Sequence, residues 1–139
     1  MPFRDFVEVA LYHPEHGYYM RGPSPAGKTG DFVTGPSLSP AFSYAIGKLI
    51  RDFVGLYADG MSTIVDVGSG NGELVRSLGD IENAQIFGID RGQSIEDLPR
   101  NAAQLVISNE LFDAQPFARL VQRGDELHEL TVQWRTGTL

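Results

Sequence analysis

Two stretches near the amino terminus carry the hydrophobic spacing of amphipathic helices. Apolar residues fall at positions 3, 6, 7, 10 and 11. From Phe42 to Leu56 they again recur three and four residues after one another, as on one face of a helix. Ser39 and Pro40 precede the second stretch, in the order of an N-cap and a first helical residue. The pattern predicts helices over residues 3–11 and over about 39–57.

A long segment rich in Gly and Pro lies between these helices. It reads YHPEHGYYMRGPSPAGKTGDFVTGPSLSP over residues 12–40. Segments of this length without secondary structure are uncommon in compact domains and are often functional.

The rest of the chain alternates short apolar runs with helical spacing. Buried strands are predicted at 63–67 (TIVDV), 84–90 (AQIFGID) and 102–109 (AAQLVISN), and a helix from about Asn71 to Leu78. At 117–134, FARLVQRGDELHELTVQW alternates apolar and polar residues on both sides of RGDE, which predicts a hairpin. This order indicates an α/β fold around a mainly parallel sheet, with N-terminal helices and a C-terminal hairpin.

Composition and charge narrow the class of protein. Of the 139 residues, 42% are hydrophobic and 21% charged, as in a soluble globular domain. We therefore expect one domain over 1–139, with a helical and loop segment at 1–60 and an α/β core at 61–139. The net charge of −7 argues against nucleic acid, and no apolar run is long enough for a membrane span. Without Cys, a secretory signal or histidines at ligand spacing, the chain is predicted to be cytoplasmic and free of metal.

The clearest candidate for chemistry is IVDVGSGNGELV at 64–75, where Gly68, Gly70 and Gly72 stand between a predicted strand and a predicted helix. In open α/β sheets, ligands bind beyond the carboxyl ends of the strands, and glycine leaves room for them at the main chain. Asp90 ends the next predicted strand, 24 residues after Asp66, at the spacing of an acid that binds ribose hydroxyls. The alternative is a tight turn that binds no ligand.

Two classes of cofactor use such a loop, and the spacing separates them. A dinucleotide fingerprint has a third glycine where this chain has Glu73, whose carboxylate would repel a pyrophosphate. Asp66, just before the loop, suits a ligand with a cationic amine. S-adenosylmethionine has that amine, a ribose for Asp90 and no phosphate. The pattern therefore favours S-adenosylmethionine over a nicotinamide dinucleotide.

Two further stretches carry a family resemblance. Residues 11–47, which include YHPEHGYY and GDFVT, and residues 107–116 (ISNELFDAQP) closely resemble the MidA family of class I S-adenosylmethionine-dependent methyltransferases. Mitochondrial members of that family are protein-arginine methyltransferases that act in the assembly of respiratory complex I. The resemblance implies a Rossmann-like methyltransferase sheet, S-adenosylmethionine as cofactor and a protein substrate such as a respiratory-complex subunit.

The resemblance also implies roles for single residues. The cofactor would lie against the glycine loop, its flanking acids and a wall over the cleft, formed by Gly30, Asp31, Thr34, Asp66, Gly68, Ser69, Gly70, Gly72 and Asp90. Asn109, Glu110 and Asp113 would meet the accepting nitrogen, and a carboxylate of Glu110 or Asp113 could pair with a guanidinium. The structural alternatives are that Asp31 orders its loop, Asn109 ends a strand and Asp113 caps a short helix.

The chain is short between two of the family's motifs. Only 19 residues separate Asp90 from Asn109, about half of what a strand, a crossover helix and a returning strand need. We expect that the helix after Asp90 and most of the family's third strand are missing, which leaves a reduced sheet with an exposed edge. That strand's end ordinarily contacts the adenine ring, and Gln93 and Ser94 are the nearest candidates here.

Three hypotheses remain at the level of the sequence. The first is a compact methyltransferase, completed by a homodimer or a partner chain. The second is a catalytically inactive relative that binds cofactor or protein. The third, disfavoured by Glu73, is a nucleotide-dependent oxidoreductase.

Overall fold

The computed structural model describes residues 1–21, 35, 39–101 and 103–134, which form two compact units. One unit joins residues 1–21 to residues 112–134, and the other contains residues 35, 39–101 and 103–111. That both units belong to the single domain expected from the sequence stays a prediction.

The described residues contain three α-helices and five strands. In chain order they are α1 (Phe3–Tyr12), α2 (Pro40–Tyr57), β1 (Ser62–Val67), α3 (Glu73–Leu78), β2 (Ala84–Ile89), β3 (Ala103–Ile107), β4 (Leu120–Arg123) and β5 (Glu126–Glu129). Short 3-10 helices lie at Tyr18–Met20, Ile95–Asp97 and Phe112–Ala114. Each predicted helix and strand is confirmed, with ends that differ by at most two residues. None of these helices is long and apolar enough to cross a membrane.

A parallel three-stranded sheet organises the second unit. Its strand order is β2-β1-β3, so β1 is central, and Asp66 of β1 stands opposite Gly88 and Ile107. Five of the six residues of β1 are buried, because neighbours cover both its edges and both its faces. This arrangement confirms the predicted α/β class with a mainly parallel sheet.

The hydrophobic core lies between one face of this sheet and helices α2 and α3. Ile64 of β1 and Ile50 of α2 are fully buried, and they pack with Val54, Leu74, Leu78 and Ile81. Helix α2 begins as predicted, since the Ser39 side chain accepts a hydrogen bond from the Ala41 N–H at 3.1 Å. The core therefore fixes β1 and α3, the two elements that flank the glycine loop.

The connection from β2 to β3 is short and must pass β1, because β3 lies on the opposite side of β1 from β2. Its described part holds the 3-10 helix Ile95–Asp97 and no α-helix, in agreement with the expected loss of a crossover helix. Thr63 Oγ1 donates to the Pro99 carbonyl at 2.7 Å and accepts from Asn101 Nδ2 at 2.9 Å. These bonds hold the connection to β1 as it returns.

The first unit consists of α1 with the residues that follow it up to 21, and of the hairpin with its flanking residues in 112–134. Phe3 N–H donates to the Leu130 carbonyl at 3.0 Å, and Val132 N–H donates to the Met1 carbonyl at 2.8 Å. The rings of Phe3 and Phe117 pack at 5.4 Å between centroids. Strands β4 and β5 pair antiparallel around Gly124, which confirms the hairpin with its turn at RGDE.

Candidate functional site

The residues predicted for a ligand site come together at the carboxyl edge of the parallel sheet. The register places Gly68, Asp90 and Asn109 at one level just beyond the ends of their three strands. The chain runs from β1 outward to β2 and then back across β1 to β3. The strand order thus reverses between β1 and β3, which is where α/β sheets bind ligands.

The glycine loop follows a backbone path that side chains disfavour. The angle φ is +78° at Gly68, +54° at Gly70 and +72° at Gly72. Gly68 and Ser69 both donate their N–H groups to the Ile89 carbonyl, at 2.9 and 3.1 Å. This path by itself requires glycine, so only the acids beside the loop indicate a ligand.

Helix α3 begins at Glu73, and the start predicted at about Asn71 is wrong by two residues. The Asn71 side chain explains the difference, because its Oδ1 accepts a hydrogen bond from the Glu73 N–H at 3.0 Å. Gly72, in the left-handed region, immediately precedes the helix. Asn71 therefore belongs to the loop and orders the first turn of the helix from outside it.

Asp90 joins the end of β2 to the glycine loop. Its carboxylate accepts hydrogen bonds from the Gly70 N–H and the Arg91 N–H, each at 2.7 Å. The side chain is exposed, and each carboxylate oxygen has a further acceptor position. Asp90 can thus order the loop and still accept hydrogen bonds from ligand hydroxyls.

Asp66 is a buried carboxyl group in the last part of β1. The residue is 3% exposed, and its pKa is raised to about 6 by burial and by the nearby Asp90 carboxylate. No hydrogen-bond donor among the described residues offsets these two effects. A cationic group at this edge would stabilise the ionised form of Asp66, as the sequence analysis expected of an amine.

The turn after β3 holds Glu110 in an unusual backbone conformation. Glu110 has φ of +53°, and its side chain is exposed. A side chain in this region costs about 1 kcal/mol or more, and such strain is often found at functional sites. Asn109, the preceding residue, is half-buried.

Two residues of the site were missed by the sequence analysis. A Cβ at Gly68 would lie 2.7 Å from Cδ1 of Leu111, so Leu111 packs directly on the glycine loop. A Cβ at Gly88 would lie 2.8 Å from the Ser69 side chain. A glycine within the predicted strand AQIFGID was the available sign of this close approach, whereas nothing in the sequence singled out Leu111.

The roles of the remaining candidate residues stay predictions. Asp113 lies in the other compact unit, within the 3-10 helix Phe112–Ala114. Gly30, Asp31 and Thr34 fall outside the described residues. Among the residues that are described, no group of three or more His, Asp or Glu is placed to hold a metal ion.

The two adenine candidates are engaged in local turns. Gln93 Oε1 accepts a hydrogen bond from the Asp90 N–H at 2.8 Å. Ser94 Oγ accepts from the Glu96 N–H at 3.2 Å and begins the 3-10 helix Ile95–Asp97. A contact of either side chain with adenine stays a prediction.

Comparison with known proteins supports this fold. No protein-family model matches the chain. A crystal structure of a COG1565 superfamily member from Burkholderia thailandensis, bound to S-adenosyl-homocysteine, matches 93% of this chain with a TM-score of 0.69 and 23% identity. At that identity the match shows the fold, a Rossmann-like α/β sheet.

A curated relative adds similarity in sequence. The mitochondrial protein arginine methyltransferase NDUFAF7 homolog of Drosophila melanogaster is 29% identical over 79 residues, which are 56% of this chain. The chain resembles MidA-type methyltransferases. It spans 18% of the Drosophila protein and 41% of the Burkholderia chain, so it is similar to one part of each.

Proposed function

We propose that this chain binds S-adenosylmethionine at the carboxyl edge of its sheet and transfers the methyl group to an arginine side chain of a protein. The observation that carries the proposal is the buried Asp66 carboxyl, which lies beside the glycine loop without an offsetting donor among the described residues. The fold shared with a chain that binds S-adenosyl-homocysteine supports the cofactor. The Drosophila relative's activity supports the acceptor.

The residues at the edge fit this cofactor. Asp66 would pair with the amine of the methionine part, which would lower the free energy of its ionised form in the folded chain. Gly68 and Gly70 would let that part approach the main chain, because no side chain intervenes. Asp90 would accept hydrogen bonds from the ribose hydroxyls at the acceptor positions that Gly70 and Arg91 leave open.

The chain's contribution to methyl transfer would be positional and electrostatic. When bound, the cofactor supplies a methyl group that its sulfonium activates toward nitrogen nucleophiles. Glu110 would orient the guanidinium through paired hydrogen bonds and favour loss of the proton that the methylated nitrogen must release. Leu111 would hold the turn that carries Asn109 and Glu110 against the glycine loop.

A second candidate function is cofactor binding without methyl transfer. The observation in its favour is that the described connection from β2 to β3 has no crossover α-helix, whereas the glycine loop, Asp66 and Asp90 are in place for the cofactor. The proposal of methyl transfer includes the possibility that a second copy of the chain or a partner chain completes the site.

Release of S-adenosylhomocysteine from S-adenosylmethionine tests the first proposal. We expect release that depends on an arginine-containing basic protein acceptor and falls at least about a hundredfold in Glu110→Gln, which removes the charge and keeps the side chain's length. Glu110→Gly should also lose release, while stability holds or rises because the strained φ is relieved. Asn83→Gly is the matched control, since Asn83 has a similar φ of +58° away from the site and should keep full release.

The outcomes separate the two candidate functions. Full release by Glu110→Gln would show that Glu110 has no part in the transfer. The second candidate would be favoured by a folded chain that binds S-adenosylhomocysteine but forms none from S-adenosylmethionine with any basic acceptor.

A further inference from the structure

Three tyrosines in the first unit form a cluster that the proposed reaction does not use. Tyr12 and Tyr19 stack with their ring centroids 5.6 Å apart and their planes at 20°, and Tyr18 meets Tyr19 edge-on at 5.2 Å. We call Tyr12, Tyr18 and Tyr19 the tyrosine cluster. All three residues are only partly buried, so the cluster is not a closed core.

A carboxylate lies beside this cluster. The Tyr12 hydroxyl donates a hydrogen bond to the Ala114 carbonyl at 2.6 Å, which fixes the 3-10 helix Phe112–Ala114 against the tyrosines. Asp113 belongs to that helix and has an exposed side chain. Burial, Tyr12 and the Asp113 charge together raise the pKa of Tyr19, so the carboxylate acts on the cluster electrostatically.

The charge of Asp113 is not neutralised within the chain as far as the structure describes it. None of the ion pairs found among the described residues includes Asp113. Two arginines of this unit have other contacts: the Arg21 side chain donates to the His16 carbonyl, and the Arg119 guanidinium lies 5.0 Å from the centre of the Phe3 ring. The Arg119 contact shows that this unit already uses an aromatic face to hold a guanidinium.

The tyrosine rings and the Asp113 carboxylate both attract cations. The faces of tyrosine rings carry negative potential and attract cations, and a carboxylate adds a full negative charge and paired acceptors for a guanidinium. Because the carboxylate and the ring faces both attract positive charge, a cation placed beside both gains more than it would beside either one alone. A neutral ligand would gain little from this combination.

We propose that the tyrosine cluster and Asp113 form a binding site for an arginine side chain of the acceptor protein. The site anchors a basic segment, and the anchored arginine need not be the one that is methylated. The choice of arginine rests on the proposed function, because the chemistry on its own would also accept a lysine.

A pair of peptides that differ by one charge tests the site in the 139-residue chain. One peptide contains a single arginine flanked by glycines, and the other has citrulline, which keeps the shape of arginine and lacks its charge. We expect the arginine peptide to shift the ring resonances of Tyr12 and Tyr19 in spectra of tyrosine-labelled protein, and the citrulline peptide to leave them unchanged. A lysine peptide in the same series measures the preference for the guanidinium.

Two substitutions and their controls locate the binding. Asp113→Asn should weaken binding of the arginine peptide about three- to tenfold, and Tyr19→Leu by a similar factor. The controls are Asp125→Asn, which removes an exposed charge from the hairpin turn, and Tyr44→Leu, which removes an exposed ring from α2. If Tyr19→Leu does not fold, Asp113→Asn still decides the question, because its side chain has the same size and is exposed.

Equal responses to arginine and citrulline would overturn the proposal, and so would an Asp113→Asn effect no larger than that of Asp125→Asn. Failure of the proposed function gives a different result. In that case no acceptor stimulates release of S-adenosylhomocysteine, while the arginine peptide still binds and depends on Asp113.

Discussion

At the scale of single residues, Asp66 is a buried carboxyl group next to the glycine loop and near the Asp90 carboxylate. The acid before the glycine loop indicated an amine ligand from its position alone. The raised pKa could not be predicted, because it depends on burial under the core and on the approach of Asp90 from another strand. Both are tertiary features. The result is a carboxyl group whose ionisation opposes folding.

The pH dependence of stability follows from this shift. The unfolded chain ionises Asp66 near its ordinary pKa of 3.8, whereas the folded chain retains the proton up to about pH 6. Between these values the folded state binds more protons, so the contribution of Asp66 to the free energy of unfolding falls as pH rises and is constant above about pH 6.

Asp66→Asn should therefore be at least as stable as the wild type above pH 6, and its advantage should disappear toward pH 4. Urea denaturation across this range measures the difference, with Asp125→Asn as a control for the loss of an exposed charge. If Asp66→Asn is less stable than the wild type at every pH in this range, the result contradicts the burial of an uncompensated carboxylate.

At the scale of elements, local patterns were sufficient for the helices and strands but not for the contacts between them. The strands at 84–89 and 103–107 and the hairpin turn follow from apolar runs and turn residues. The hydrogen bond from Gly70 to Asp90 and the packing of Leu111 on Gly68 join residues far apart in the chain. No periodicity encodes such pairs, which is why Leu111 was missed.

The contact between Leu111 and the glycine loop predicts that a side chain at Gly68 destabilises the fold. Gly68→Ala should cost about 2–4 kcal/mol of unfolding free energy, because it combines a strained φ with a clash against Leu111. Gly92→Ala is the matched control: Gly92 has φ of +83° in the Asp90–Gln93 turn but open space around a Cβ, so its cost should be about 1 kcal/mol.

The double variant Gly68→Ala with Leu111→Ala isolates the clash in a thermodynamic cycle. We expect Gly68→Ala to cost about as little in that background as Gly92→Ala costs in the wild type. Additive effects of the two substitutions would show that Leu111 does not constrain the loop.

At the scale of the whole molecule, the reduced sheet is the main departure from the MidA-type pattern. The count of residues between Asp90 and Asn109 predicted a missing helix, and the described connection contains none. The placement of β3 beside β1 could not be derived from that count, since it depends on which strand completes the core. The site is thereby restricted to the ends of three strands, two of which, β2 and β3, are at edges in the described sheet.

A calorimetric titration of the chain with S-adenosylhomocysteine above pH 6 tests most directly whether a cofactor site lies at the glycine loop. We expect binding at micromolar concentrations that is lost in Asp66→Asn and kept in Asp125→Asn. Because Asp66→Asn should be no less stable than the wild type at this pH, loss of binding cannot be attributed to unfolding. A folded wild-type chain that does not bind, or equal binding by Asp66→Asn, would contradict a cofactor site at the glycine loop.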